Sequence, residues 1–163
     1  MNFQPEQGID VLGRTPAVLR TMIGGLSDVW VLSNYGDKTF SPFDVVGHLI
    51  HGDRADWIPR AKIILAHGES KAFEPFDRYA MYEDSKGKSL ADLLDTFETL
   101  RKQNIGELQA MQLTPEKLAL RGTHPELGVV TMEQLLATWV VHDLNHIHQI
   151  AKSMAFQYCE EVG

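Results

Sequence analysis

The sequence predicts an all-α fold: a four-helix bundle formed by a single domain over residues 1–163. Three observations predict it. Apolar residues recur along four stretches at the spacing of one helix face. Three of those stretches open on Ser or Thr followed three positions later by Asp or Gln, the reciprocal capping pattern. The strand-like runs, 29–32 and 128–131, are too brief to outweigh the helical pattern.

The first stretch, residues 7–26, carries Leu12, Leu19, Ile23 and Leu26 in register. Pro16 interrupts it, so either Thr15 caps a helix that begins there or one longer helix kinks. The second stretch opens with Ser41, Pro42 and Asp44 and should run to about Ala66, with a kink at Pro59. Val46, Ile50, Trp57 and Ile64 form its apolar stripe. Residues 68–88 then read as a long loop between the second and third helices, holding Phe73, Phe76, Tyr79 and Tyr82. Loops of this length often carry function; these aromatics either pack the loop onto the bundle or cover a site. The third helix opens at Ser89 with Asp92 and continues through Leu90, Leu94, Phe97, Ile105 and Leu108. Thr114–Pro115–Glu116 starts a short turn or helix, and residues 122–128 read as a loop. Thr131 with Gln134 opens the last helix, which extends to about Tyr158.

Composition sets bounds on function. A chain of 163 residues with 44% hydrophobic and 23% charged residues builds a core, which excludes an intrinsically disordered protein. The net charge is −7 and no Lys/Arg cluster interrupts it, so no nucleic-acid partner is expected. The single cysteine, Cys159, allows no disulfide within the chain and fits a reducing compartment. Residues 1–5 lack a basic region followed by an apolar run, and no stretch approaches the ~20 apolar residues that span a bilayer. A cytoplasmic protein without membrane association is expected.

The strongest chemical signal is the placement of the seven histidines. His142 and His146 stand four apart in the last helix, about 6 Å along its axis, with both rings on one side. They share that side with Leu135, Trp139 and Ile150, whereas His148 falls opposite. Two imidazoles facing a core need partners, and one shared metal ion would satisfy both. Otherwise they are ordinary core histidines with hydrogen-bond partners. A third ligand must come from elsewhere, and His48 on the second helix is the best candidate. His48 lies away from the Val46/Ile50/Trp57 stripe, on a face carrying Val45, Gly52 and Ala55, so its use requires the second helix to be buried on two sides. His51, His67 and His148 are not expected to bind metal. His124, in Thr123-His124-Pro125-Glu126, is either a turn residue or a group that approaches the site. Reading His142-Asp143-Leu144-Asn145-His146 as a zinc-protease motif fails, because Asp is a methylene short of the usual Glu and no third ligand follows downstream.

The stretches Ser41-Pro-Phe-Asp-Val-Val-Gly-His48 and Trp139-Val-Val-His142-Asp-Leu-Asn-His146 resemble the DinB-like superfamily, and the resemblance extends over essentially the whole chain. It implies a four-helix bundle with unusual connectivity and a divalent metal on His48, His142 and His146. It also implies a homodimer for many members and no DNA binding. Some relatives are thiol-dependent transferases or isomerases; others have no assigned activity.

A three-nitrogen site with an open position resembles catalytic zinc. Zinc or nickel is the first expectation; iron, cobalt and manganese also accept imidazole. The favoured chemistry is thiol transfer, in which a low-molecular-weight thiol is deprotonated at the metal and attacks a small-molecule electrophile. The alternative is hydrolysis by a metal-activated water, which needs a base: Asp143, Asp44 or His124. Asp143 serves either as that base or as a carboxylate that orients a ligand, and Asp44 either orients His48 or only caps its helix. Gln149 lies on the His142 face. A non-catalytic metal-binding module is the remaining reading.

Overall fold

The computed structural model describes residues 3–162; Met1 and Asn2, the start of the stretch read for a signal sequence, lie outside it, as does Gly163. The four long helical units are α1 (Pro5–Ile23), α3 (Pro42–Ala55) continued by α4 (Trp57–His67), α6 (Leu90–Ala110) and α8 (Met132–Phe156). Short helices α2 (Asp28–Val31), α5 (Met81–Ser85) and α7 (Pro115–Leu118) lie in the connections.

The order of the helices around the bundle is not their order in the chain. α6 packs against both α1 and α3, and α8 closes the ring by packing against α1, α3 and α4. The sequence runs diagonally from the first unit to the second. This is not an up-down-up-down bundle, in which successive helices are neighbours. It sets α3 directly beside α8, the two helices that carry the histidines.

All three capping boxes form as expected. Ser41 with Asp44, Ser89 with Asp92 and Thr131 with Gln134 each exchange a side-chain bond for a backbone N–H in both directions. Asp44 is committed to Ser41, accepting from its backbone N–H at 3.0 Å and its hydroxyl at 2.7 Å.

The prolines act through the bonds they remove. α1 runs unbroken through Pro16. A proline has no N–H, so the Leu12 carbonyl one turn earlier loses its helical partner. Arg101 supplies the replacement, donating from Nη1 to Leu12 O at 2.9 Å. The break in the second unit falls at Asp56, near the carbonyl of Ala55 that the Pro59 ring displaces, rather than at Pro59 itself.

Three regions differ from the sequence reading. Residues 122–128 are not merely a loop: β1 (Arg121–His124) and β2 (Gly128–Thr131) form an antiparallel hairpin leading into α8. Gly122 is required there, since a Cβ would stand 2.7 Å from Ile64 Cγ1 and 3.0 Å from the Phe73 ring. Residues 29–32 are largely helical, within α2. The 68–88 segment holds α5 and a 3-10 turn (Gly68–Ser70), and its aromatics divide. Phe73 is buried in the core, held where its N–H donates to Thr123 O at 2.9 Å. Phe76 reaches the histidines, and Tyr79 and Tyr82 stack on each other in solvent.

The apolar core is in two parts. One gathers Leu19, Val45, Leu49, Phe97 and Ile150. The other gathers Leu12, Trp57, Ile64, Leu108 and Trp139. Between them every long helix contributes buried polar side chains: Thr15, His48, Asp53, Arg101, Asn104 and Asp143.

Candidate metal centre

His48 sits mid-way along α3 with both flanks of the helix covered, as the expected ligand role requires: Val45, Val46, Gly47, Leu49 and Ile50 are all buried. Gly47 admits the close approach of α5, because a Cβ there would meet Ser85 Oγ at 2.5 Å. His142 and His146 project from α8 toward the same point. The Nε2 atoms of His48 and His142 are 3.1 Å apart, as are those of His146 and His142. All three ligand atoms fall within 4.8 Å of one another. Two nitrogens each about 2.1 Å from a tetrahedral ion stand roughly 3.4 Å apart, so the spacing fits a small divalent metal.

The electrostatics fit as well. Burial, followed by the neighbouring imidazoles, lowers the pKa of His48 to about 3. Burial and His142 lower that of His146 to about 4, against the opposing pull of Gln149. Both rings are neutral at neutral pH, as metal ligands must be. His146 Nδ1 pairs with Gln149 Oε1 at 2.9 Å. An amide oxygen only accepts, so Nδ1 carries the hydrogen and the Nε2 lone pair faces inward. The Nδ1 atoms of His48 and His142 are buried without hydrogen-bond partners. Lone pairs crowded on one point repel unless a cation or a shared hydrogen lies among them, which is the donor chemistry of a metal site.

Aromatic rings wall the cluster. Phe40 and Phe76 each lie 5.6 Å from the His48 ring, and Trp57 lies 5.1 Å from His142 while stacking on Trp139. A pocket of about 320 Å³ opens beside His48 and His142, lined also by Asp56, Arg60, Arg78 and His124.

The other candidates lie as follows. Asp143 is fully buried and turned away from the pocket, with both oxygens accepting from Arg101. Its Oδ1 is 3.9 Å from His142 Nδ1, beyond hydrogen bonding. His124 stands at the end of β1, and its Nδ1 accepts the backbone N–H groups of Glu126 at 3.1 Å and Leu127 at 3.2 Å. That bonding leaves Nε2 as the ring's hydrogen-bearing atom. His148 is exposed.

Sequence reasoning missed two buried residues of the pocket. Asp56, at the α3–α4 break, is buried with Oδ1 2.7 Å from Arg60 Nε. Burial, the largest influence, raises its pKa despite Arg60. Arg60 is buried beside it, its pKa lowered by the same desolvation. A carboxylate just before a Trp in a continuous helical pattern gave no sign of facing a site. The only hint was Pro59, which marks the break.

Comparisons with known proteins bear on the family and the fold. The chain is 28% identical over 152 residues to YfiT of Bacillus subtilis strain 168, covering 91% of this chain and 83% of that protein. A solved structure of YfiT matches with a TM-score of 0.80 at 27% identity, covering 93% of this chain and 86% of the other. YfiT is described there as a probable metal-dependent hydrolase with an unusual four-helix bundle topology. The family model of the DinB superfamily matches residues 12–150, which takes in all three histidines, and the chain belongs to the DinB superfamily.

Proposed function

We propose that this protein is a metal-dependent hydrolase of small molecules, with His48, His142 and His146 as ligands to a divalent ion, zinc or nickel in the first instance. The observation that carries the reading is the convergence of three imidazole Nε2 atoms at the wall of a pocket that also holds a buried carboxylate, Asp56. A divalent ion at such a site acidifies a coordinated water and polarises a substrate carbonyl. Asp56 then serves as general base, its proton affinity raised by burial. Arg60 holds that carboxylate in place and balances its charge. His124 offers an N–H donor from Nε2 to the departing oxygen or nitrogen. In this scheme Asp143 is a positioning residue: it fixes α8 through Arg101 and leaves the base role to Asp56.

Hydrolysis takes precedence over the thiol transfer first expected. YfiT, which this chain resembles, carries the hydrolase description, and Asp56 supplies the base that hydrolysis needs. The open pocket beside the ligands favours catalysis over a metal-stapled scaffold. No described helix is long and apolar enough to cross a membrane. A homodimer and a cytoplasmic location remain part of the proposal.

The test is elemental mass spectrometry of the purified protein with a 4-nitrophenyl acetate assay before and after chelation. About one divalent ion per chain is expected, with hydrolysis lost on chelation and restored on reloading. A wild-type protein that takes up no zinc, nickel or manganese overturns the metal centre. A loaded protein without metal-dependent hydrolysis of esters or amides overturns the hydrolase.

A further inference from the structure

We propose that a groove running from the metal pocket along β2 and α8 binds an apolar arm of the substrate, so that the preferred substrates are esters or amides of alkyl or aryl acids rather than small polar molecules. This rests on the hydrolase reading above and names its substrate class.

The groove encloses about 660 Å³ and is walled by Trp57, Leu127, Val129, Val130, Leu135 and Val141. That volume suits a small-molecule arm. Leu127, Val129 and Val141 are 72%, 44% and 54% exposed, so the apolar wall stands open to water. Clustered exposed apolar surface of this kind marks a binding site more often than scattered residues do.

The direction of the groove identifies its occupant. Among the described residues, its titratable lining residues are Asp56, Arg60 and His124, and all three also line the metal pocket. Beyond them the walls are apolar, with only the neutral Gln134 and Thr138 between. A molecule lying along both pockets would place one polar, reactive group among the charged residues and an uncharged chain in the groove. The hairpin accounts for the groove: it stands β2 against α8 at the mouth of the site.

The experiment is calorimetric titration of the zinc-loaded protein with a series of straight-chain alkanehydroxamic acids from two to eight carbons. The hydroxamate group chelates the metal, and the chain reports the groove. Affinity should rise about fourfold per methylene over the first several carbons, the increment for burying a CH₂. In Thr138→Trp, which fills the groove, and in Val141→Asp, which charges its wall, the ratio of eight-carbon to two-carbon affinity should fall close to one. Both positions are solvent-exposed, so the variants fold. A flat series in the wild type overturns the groove, whether or not esters are hydrolysed. So does a second copy of the chain seated in the groove, seen as a dimer in sedimentation with a flat series. A rising series without ester turnover keeps the groove and removes the hydrolase. Failure of the loaded protein to bind any member counts against both.

Discussion

At the waist of the bundle the Arg101 cluster and the histidine cluster lie side by side, joined through consecutive residues Asp143 and His142. Both are buried polar groups inserted between two apolar cores. They are completed differently. Arg101 donates from Nε, Nη1 and Nη2 to Asp53, Asp143 and the Leu12 carbonyl, which uses all five of its N–H groups. All four carboxylate oxygens accept from it. Nothing is left for a ligand to satisfy. The histidine cluster is the reverse: its Nε2 atoms face one another with room for a ligand, and two Nδ1 atoms have no partner. The first cluster locks four helices together and the second is left open where α3 meets α8. Stability and function are thus assigned to adjacent polar groups that look alike in composition.

The comparison can be broken from either side. The largest effect is expected at Arg101. Arg101→Met strands two buried carboxylates, and the loss should be about 3–5 kcal/mol in urea denaturation, with or without metal. A loss under about 1 kcal/mol would show that the cluster is not closed. His48→Ala should act on the other side: metal content falls from near one ion per chain to near zero, while apo-protein stability changes by about 1 kcal/mol or less. Collapse of the fold in that variant would make the histidines structural. Gln149→Leu sharpens the distinction, because it frees the His146 tautomer without touching a ligand. Metal affinity should drop about 10–100-fold by competition with a chromogenic chelator. The smallest effect is expected from Ser89→Ala, which removes the α6 cap far from both clusters. It should cost about 1 kcal/mol of stability and leave metal affinity unchanged.

What the sequence revealed was local. The capping boxes at Ser41, Ser89 and Thr131 depend on residues three apart, and the His142/His146 pair depends on one helical turn. Both are visible without knowing the fold. His48 became a candidate through pattern rather than contact, and the structure brings it to the pair. What remained hidden depends on distant partners. The hairpin is held by Phe73 and Ile64 packing over Gly122, from segments some fifty residues earlier in the chain. Asp56 faces the pocket only because Pro59 breaks the helix before it. Arg101 did leave a trace: it occupies the apolar stripe of α6 between Phe97 and Ile105, where a charge needs partners, but Asp53 and Asp143 lie 48 and 42 residues away.

The two buried clusters also interact by charge. One guanidinium against two carboxylates that both accept from it leaves an excess of carboxylate next to the three imidazoles. A divalent cation entering the histidine cluster would therefore meet a negative neighbour that cannot approach it, since Arg101 holds both carboxylates. That arrangement favours the cation without offering it another ligand.

The diagonal order of the helices bears on how the protein is made. His48 and His142 stand 94 residues apart, and the second arrives only with the last helix. During synthesis no partial chain can present all three nitrogens, so an ion held by all three would be captured after α8 has emerged. Once captured, it ties off a loop of more than half the chain. The entropy of such a closure grows only slowly with length, so the topology adds little to the cost of the tie. Its effect falls on unfolding, where the long loop must either open the coordination or stay tethered. The metal-loaded protein should therefore escape its native state far more slowly than the apo form.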